Sequence, residues 1–222
     1  MHTVRVWDLP TRAFHWLLAA SVIGMIATAK VGGSWMEWHL RLGHLVLALL
    51  LFRLCWGLVG GHWSRFATFA YGPASVLRYL RGQAPAQHRV GHTPLGALSV
   101  FALLGVLLAQ VGTGLVSDDE IAFFGPLVRF VDGSTVGLAT DYHKGIGQWL
   151  VIGLMALHIL AVLVYQLFKK QNLVGPMLHG DKALPEPALP ASRDGGFQRL
   201  LALVLALLAG AAAYLVHGLG AA

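Results

Sequence analysis

The sequence has little cysteine and little charge, and each shortage excludes a class of protein. Cys55 is the only cysteine, so the chain has no disulfide, no thiolate metal cluster and no C-x-x-C-H motif for covalent haem attachment. Charged residues make up 12% of the chain and hydrophobic residues 56%, whereas a soluble domain carries roughly 25% charged residues. With a mean hydropathy of +0.66, the composition is that of a membrane protein.

Long uncharged runs divide the chain into membrane spans, and each approaches or exceeds the roughly 20 residues needed to cross about 30 Å of hydrocarbon. The runs cover residues 13–29, 42–60, 95–116, 145–168 and 200–216. With their flanks they predict an all-α membrane protein whose residues 1–182 contain four spans, at about 13–30, 38–60, 95–116 and 142–168. A Pro-rich linker, 183–196, and a fifth transmembrane helix within 197–222 follow.

The first span has an alternative interpretation as a signal peptide. Arg5 and Arg12 precede the apolar run, and the segment Ala27-Thr28-Ala29 has the small-x-small form of a cleavage site. The segment "FHW", residues 14–16, is atypical of a signal peptide because it places aromatic rings and a histidine at the start of the apolar run. We therefore expect the first span to be retained.

Lysine and arginine are unevenly distributed among the loops, and the bias predicts orientation because basic loops stay in the cytoplasm. With the N-terminus inside, the cytoplasmic segments contain Arg5, Arg12, Arg65, Arg78, Arg81, Arg89, Lys169, Lys170, Lys182, Arg193 and Arg199. The outer segments contain Lys30, Arg41, Arg129 and Lys144. The net charge of +6 is therefore a topology signal rather than a sign of nucleic-acid binding. Within the cytoplasmic loop 61–94, residues 71–82 predict a short amphipathic helix along the inner surface.

Eleven histidines are present, and their depth in the predicted spans sorts them. Six fall in loops or near span ends: His2, His62, His88, His92, His179 and His217. The other five are His15, His39, His44, His143 and His158. In the fourth span, His143 lies at the outer end, about 22 Å from His158 at 1.5 Å per residue. Matching depths give an outer pair, His39 with His143, and an inner pair, His15 with His158.

The two histidine pairs share the fourth span, which contributes one histidine to each pair at a different depth. This arrangement predicts two haems, one above the other. A haem iron takes two axial imidazoles on opposite sides of a flat macrocycle, and two facing helices supply one each. A zinc site normally needs three or four close ligands, and a proton path usually mixes histidines with acids, which the span cores lack. Seven glycines leave room for a ring or for close helix packing: Gly24, Gly43, Gly105, Gly112, Gly114, Gly147 and Gly153.

His44 competes with His39 for the outer pair. The two residues are five positions apart, so on a helix they point about 140° away from each other and cannot both face the fourth span. Depth favours His39, which matches His143 near the outer boundary.

Five short segments form an ordered set over residues 4–182. They are "VRVWDLPTRAFHW" (4–16), "HLRLGHLVLALLLFRLCWGLVG" (39–60), "RFATF" (65–69), "GHTPLGAL" (91–98) and "NLVGPMLHGDK" (172–182). Together they resemble the bacterial cytochrome b561 and nickel–iron hydrogenase b-type cytochrome family. The resemblance implies a four-helix membrane bundle holding two non-covalent b haems. Its four haem ligands correspond here to His15, His39, His143 and His158, and His39, Gly43 and Arg53 fit the family's spacing in the second helix.

The chain departs from the family pattern in two places. His143 and His158 are fifteen residues apart, where some members have fourteen, which implies a small rotation or a π-bulge. The tail "FQRLLALVLALLAGAAAYLVHGL" (197–219) is an added hydrophobic helix, for packing or anchoring, and we expect His217 to be interfacial.

Four basic residues lie near the predicted haems. Arg41 and Lys144 are close in depth to the outer haem, and Arg12 and Arg53 lie toward the inner side. Each could donate charge-assisted hydrogen bonds to haem propionates. The alternative is that they only extend to the membrane interface.

The predicted function is electron transfer across the bacterial inner membrane, with the N-terminus cytoplasmic and the C-terminus periplasmic. Two haems about 20 Å apart span most of the hydrocarbon. The resemblance implies quinone as the membrane substrate, and the partner is expected to be a hydrogenase-like subunit or a periplasmic cytochrome c. No catalytic side chain is predicted.

The outer loop 117–142 carries five acids, which could steer a basic carrier or form an ordinary solvated loop. They are Asp118, Asp119, Glu120, Asp132 and Asp141, against Arg129.

Two other hypotheses stay open. One is a self-contained superoxide:ubiquinone-type oxidoreductase, which some family members are reported to be. The other is a membrane anchor or transporter whose histidines are structural or bind a metal. Bound haem would distinguish either cytochrome from the anchor or transporter. A partner that co-purifies stably would distinguish the electron-transfer subunit from the self-contained enzyme.

Overall fold

Helices dominate the structure, a computed structural model that describes residues 2–184 and 190–221. In chain order the elements are β1 (His2–Arg5), α1 (Leu9–Val31), α2 (Met36–Val59), α3 (Pro73–Leu80), α4 (Pro94–Leu115), α5 (Gly133–Tyr142), α6 (Gln148–Leu167), α7 (Val174–His179), β2 (Asp181–Leu184) and α8 (Gly196–Ala221). Short 3-10 turns lie at Gly33–Trp35, His62–Ser64, Phe66–Thr68, Ala86–Arg89 and Val128–Phe130. A π-helical turn, His143–Gly147, joins α5 to α6.

Among the residues that the structure describes, five helical segments are long and apolar enough to cross a membrane. They are Leu9–Val31, Gly33–Val59, Pro94–Leu115, Gly133–Leu167 and Gly196–Gly220. Large apolar side chains such as Leu58, Leu160 and Leu207 are exposed on them, as expected where hydrocarbon replaces water around the helices. The predicted all-α, multi-pass membrane fold is confirmed.

The fourth span starts earlier than the sequence predicted, at Gly133 instead of residue 142. Asp132 is the N-cap of α5, and its carboxylate accepts a hydrogen bond from the backbone N–H of Thr135 at 2.9 Å. Such a cap satisfies a donor that the first helical turn leaves free. Residues 133–142, predicted as part of an outer loop, are therefore helical, and Asp141 lies on α5.

The chain divides into two compact units whose boundaries fall inside the long helices. The first unit comprises Met1–Phe14, Arg53–Ala102 and Ala156–Val204. The second comprises His15–Phe52, Leu103–Met155 and Leu205–Ala222.

A small antiparallel sheet and an apolar cluster organise the first unit. Strand β1 pairs with β2 in the register His2↔Leu184 to Arg5↔Asp181, and Arg5 extends the pairing with an ion pair to Asp181 at 2.6 Å. The buried apolar residues beside the sheet are Val4, Val6, Trp7, Trp63, Val90 and Leu184. The N-terminal segment is thus bound to the segment that follows the fourth span.

A buried carboxylate connects the start of α1 to the end of α2. Asp8 is fully buried, and its two oxygens accept hydrogen bonds from the Thr11 N–H (2.8 Å), the Trp56 indole (3.1 Å), the Gly61 N–H (3.1 Å) and the Ser64 hydroxyl (2.7 Å). A buried carboxylate is stable only with its lone pairs satisfied in this way. Asp8 therefore holds the helix end and the following turn in fixed register.

The first unit contains two segments whose structure was predicted from the sequence, a short amphipathic helix and a Pro-rich linker. The amphipathic helix expected within 71–82 is α3, with Leu77 and Leu80 exposed. Of the predicted linker 183–196, residues 185–189 lie outside the described residues. Ser192 is buried, accepts a hydrogen bond from the Trp63 N–H and donates one to the Val6 carbonyl.

In the second unit, α8 packs through small residues. Ala209 and Ala213 are buried, while Leu208 and Leu215 on the same helix are exposed. Near its end, a side chain at Gly220 would collide with the backbone of Pro126, since its Cβ would lie 2.7 Å from the proline Cα. The close approach of small residues is how helices pack in hydrocarbon.

Candidate functional site

Two histidines from different helices meet in the second unit. His39 lies on the first turn of α2 and His143 opens the π-helical turn after α5. Their ring centres are 6.1 Å apart and the ring planes are nearly perpendicular, at 89°. These are the two residues that depth alone predicted as the outer pair.

Each of these rings is held by a hydrogen bond from its Nδ1 atom. Nδ1 of His39 donates to the Met25 carbonyl on α1 at 3.0 Å, and Nδ1 of His143 donates to the Gln110 carbonyl on α4 at 2.8 Å. Because a carbonyl can only accept, the proton is on Nδ1 in both rings and Nε2 keeps its lone pair. A metal-bound histidine usually has such a partner on its other nitrogen.

The π-helical turn places His143 against α4. The side chain of Gln110 donates to the His143 carbonyl at 2.9 Å. Gly114, one turn further along α4, has no side chain where the ring lies, and a Cβ there would be 2.8 Å from Cε1 of His143. The structure thus contains a π-helical turn at the place where the fifteen-residue spacing implied a rotation or a π-bulge.

A cavity of about 570 Å³ surrounds the pair, a size typical of a cofactor site. It is lined mainly by apolar side chains, and both histidines, Gln110 and Lys144 line it as well. A second cavity, of about 90 Å³, is also lined by both histidines and by Gly43 and Phe123.

These residues fit a haem with two axial imidazoles. Two imidazoles bound to one metal ion from opposite sides have ring centres roughly 6 Å apart, because each metal–nitrogen bond is about 2 Å. The observed 6.1 Å matches this spacing. Within residues 2–184 and 190–221, no group of three or more His, Cys, Asp or Glu side chains could hold a metal ion. The two imidazoles are thus the donor set that a haem with two histidine ligands needs.

The inner histidines lie in different compact units, so the structure does not describe them as a pair. His15, in the second unit, is half-buried beside Trp16. His158, in the first unit, is half-buried on α6. Their pairing stays a prediction from depth.

Two arginines predicted for the inner side have different surroundings in the first unit. Arg53 is 3% exposed with its guanidinium over the Phe66 ring at 4.5 Å, and no described residue accepts a hydrogen bond from its buried Nη1 atom. Arg12 donates to the Leu178 carbonyl and lies 4.0 Å from Asp194. Both arginines keep one buried N–H without an acceptor among the described residues, Nη1 of Arg53 and Nε of Arg12, but only Arg12 also has a hydrogen bond and an ion pair to the chain itself.

Comparison with known proteins identifies the family. The family model for prokaryotic cytochrome b561 matches residues 6–180. The chain belongs to the prokaryotic cytochrome b561 family. Cytochrome b561 proteins transfer electrons in membranes with b-type haem, which agrees with the bis-histidine geometry of the outer pair.

Curated relatives of this b561-family chain are hydrogenase cytochromes. A probable Ni/Fe-hydrogenase B-type cytochrome subunit of Bradyrhizobium diazoefficiens is 23% identical over 218 residues, covering 81% of this chain and 86% of the relative. The protein of the same name from Cupriavidus necator is 24% identical, covering 79% and 85%. The probable Ni/Fe-hydrogenase 1 B-type cytochrome subunit of Escherichia coli K12 is 23% identical, covering 79% and 88%. No solved structure matches the chain significantly.

Of the two basic residues predicted for the outer site, Arg41 and Lys144, only Lys144 lines its cavities. Arg41 is exposed, forms an ion pair with Glu37 at 3.8 Å and stacks near Trp38, and it lines neither cavity. Lys144 lines both cavities. Lys30, which sequence reasoning did not consider as a site residue, lines the larger cavity and donates to the Gln148 side chain at 2.9 Å.

Hydrogen bonds lower the pKa of two acids, Asp119 and Asp132, in the segment between α4 and α5. Asp119 accepts hydrogen bonds from the backbone N–H groups of Phe123, Ala122 and Ile121, which lower its pKa. Hydrogen bonds from Ser134 and Thr135 lower the pKa of Asp132. Both acids therefore shape the local turns while keeping their negative charge.

Proposed function

We propose that this chain is a dihaem b-type cytochrome that carries electrons across the bacterial inner membrane between the quinone pool and a partner redox protein. The observation that carries the proposal is the outer pair, in which two imidazole rings have centres 6.1 Å apart and each ring donates its Nδ1 proton to a helix carbonyl.

His39 and His143 are the proposed axial ligands of the outer haem. Their Nε2 atoms supply the two lone pairs, and the carbonyls of Met25 and Gln110 fix the tautomer and raise the basicity of the rings. When bound, the haem supplies one-electron redox chemistry. Lys144, at the cavity rim, is the proposed cation for a propionate.

His15 and His158 are the proposed ligands of the inner haem. The support is their matched depth and the family's ligand pattern. Arg53 supports an anionic group nearby, because a buried guanidinium with an unpaired N–H gains a charge-assisted hydrogen bond from a carboxylate. Arg12 was a second candidate from the sequence, but its contacts to Leu178 and Asp194 favour a structural role.

The proposed partner is a hydrogenase-like subunit, because curated relatives that cover most of the chain are named as hydrogenase cytochrome subunits. A periplasmic cytochrome c is the second proposed partner. Its support is the pair Asp119 and Asp132, whose pKa values are lowered by hydrogen bonds, on the acid-rich segment predicted to face the periplasm. The basic-residue bias supports a cytoplasmic N-terminus.

The test is a dithionite-reduced minus oxidised spectrum of the purified protein, with pyridine haemochrome quantitation. Two b haems per chain are expected. One haem per chain would mean that one histidine pair is misassigned, and none, from cells grown with ample haem, would overturn the cytochrome proposal. Quinol-linked turnover of the isolated chain without any partner would contradict its role as a subunit.

A further inference from the structure

Gln110 is the only side-chain amide on α4, and it contacts His143 at two places. Its backbone carbonyl accepts the Nδ1 proton of the His143 ring at 2.8 Å. Its side-chain Nε2 donates to the His143 carbonyl at 2.9 Å. One residue of α4 therefore holds both the ring and the backbone of the proposed ligand.

The backbone around His143 needs such support because it is a π-helical turn. π-helical turns are rare, occur as single-turn insertions and often mark functional sites. A second side-chain amide, that of Gln148, donates to the carbonyl of Lys144 in the same turn. Two neighbouring carbonyls of the turn are thus held by side-chain amides, but only Gln110 also contacts the ring.

Space for the Gln110 amide depends on Gly147. A side chain at Gly147 would collide with Oε1 of Gln110, and Gly147 itself is buried. Oε1 is buried too, and no described residue donates to it. An amide that leaves a buried oxygen unpaired loses hydrogen-bond energy at that atom, so the conformation is maintained by what Nε2 gains from His143.

We propose that Gln110 is the positioning residue of the outer haem site, setting the orientation and basicity of the His143 imidazole without touching the iron. The inference rests on the proposed function, since it requires His143 to be an axial ligand. A carbonyl acceptor on Nδ1 increases the electron donation of the ring to a metal, and loss of such outer partners typically weakens metal affinity roughly 10- to 100-fold. Electron donation favours the ferric state, so weaker donation raises the midpoint potential.

The experiment compares Gln110→Met, Gln110→Asn and the control Gln166→Met in the full-length protein. Gln166 is also a glutamine in an apolar helix, but it is exposed and lies on α6. The readouts are haem content, the midpoint potentials of the two haems from a spectroscopic redox titration, and binding of carbon monoxide to the reduced protein.

Gln110→Met keeps the backbone carbonyl that accepts the Nδ1 proton and removes only the side-chain amide that holds the His143 backbone beside it. Without the amide the ring can move away from that carbonyl, so the expected result is a weaker Nδ1 contact and a higher midpoint potential for one haem only. Carbon monoxide should bind that haem because His143 dissociates from it more readily. The affinity of the protein for the same haem, measured by haem loss on dilution, should weaken roughly 10-fold or more. The other haem acts as the internal folding control. Gln110→Asn keeps the amide but is one methylene shorter, so it should raise the midpoint potential of the same haem by a smaller amount. If Gln110→Met binds no haem, the potentials of Gln110→Asn test the proposal instead.

The proposal would be overturned by unchanged potentials and carbon monoxide binding in both Gln110 variants, or by an equal shift of both haems. A shift of the same size in Gln166→Met would overturn it as well. Failure of the proposed function has a different signature, because His143→Ala would then retain the full haem content of the parent protein.

Discussion

His44 on α2 and His217 on α8 meet edge to face, with ring centres 4.7 Å apart and planes at 81°. Nδ1 of His44 donates to the Leu40 carbonyl of its own helix at 2.7 Å. On α2, His44 lies about 140° around the helix from His39, although both side chains line the smaller cavity. The contact therefore joins the fifth helix to α2, and it gives His44 a structural partner separate from the His39–His143 pair.

Replacing His44 with Ala should leave the haem content and the reduced haem spectra unchanged, because His39 is the proposed ligand of α2. The lost ring contact should reduce stability by about 1 kcal/mol. Haem quantitation and thermal unfolding measure the two effects, and His217→Ala is the matched variant from the other side of the contact. Loss of the outer haem from His44→Ala would show that His44, and not His39, is the ligand.

Removing His143 should empty the outer site and spare most of the inner haem, and removing His158 should do the reverse. The reason is that, in the proposed function, the two histidines belong to different haems and lie about 22 Å apart along the helix at 1.5 Å per residue. Pyridine haemochrome analysis of His143→Ala and His158→Ala, beside the parent, measures both. Loss of both haems from either single variant would argue against two independent sites.

Substitution of Gly114 by Ala should displace the His143 ring, since the new Cβ would lie 2.8 Å from its Cε1 atom. We expect reduced outer haem content with the inner haem retained. Gly112→Ala is the control, because nothing lies within 4 Å of a Cβ at that position and alanine is the better helix former by about 1 kcal/mol. Equal haem content in the two variants would refute the proposed contact.

Asp8→Asn should destabilise the protein by about 1–3 kcal/mol, because an amide nitrogen would replace one of two buried oxygens that accept four hydrogen bonds. Chemical unfolding in detergent, followed by the haem absorbance, measures the loss. Glu37→Gln removes an exposed carboxylate paired with Arg41 and should change stability by about 0.5 kcal/mol or less. A similar effect of both substitutions would contradict the role of Asp8.

Asp194 should contribute to stability at neutral pH and lose that contribution in acid. Burial raises its pKa, but the hydrogen bond from Arg199, with the charges of Arg199 and Arg5, outweighs burial and lowers the pKa below its ordinary value. A carboxylate with a lowered folded pKa stabilises the fold above its unfolded value of about 3.9 and loses this effect as the pH falls through the folded value. Asp194→Asn should therefore be less stable than the parent at pH 7, and the difference should shrink as the pH falls through the lowered folded pKa of Asp194. A difference that stays constant throughout the acid range would show that the charge is not involved.

The depth of each histidine along its helix was sufficient to predict that His39 and His143 lie close together. Apolar runs locate α2 and α6, and a rise of 1.5 Å per residue assigns depths to His39 and His143. The direction of a side chain near a helix end is harder to predict. Arg41 turns to Glu37, an i, i+4 pairing that the sequence contains, whereas nothing local indicates that Lys30 lines the cavity.

The sequence does indicate that a helix starts before residue 142, but the prediction of spans from apolar runs did not take this feature into account. Asp132 followed by Gly-Ser-Thr is a typical N-cap sequence, but α5 is not apolar enough to extend a hydropathy run. The Asp8 network had no such signal, because its donors Trp56, Gly61 and Ser64 lie about 50 residues away in the chain. Contacts of that kind depend on tertiary packing, which a periodicity does not encode.

The pairing of β1 with β2 has a consequence for the order in which the protein is made. Arg5 and Asp181 are 176 residues apart in sequence, and ribosomes add roughly 5–20 residues per second. The first segment to leave the ribosome thus waits about 10–35 s for its partner strand. During that interval α1, α2, α4 and α6 must be synthesised before the N-terminus can be secured. The sheet can therefore form only after the four helices have been synthesised. A chain truncated before residue 181 would leave β1 unpaired.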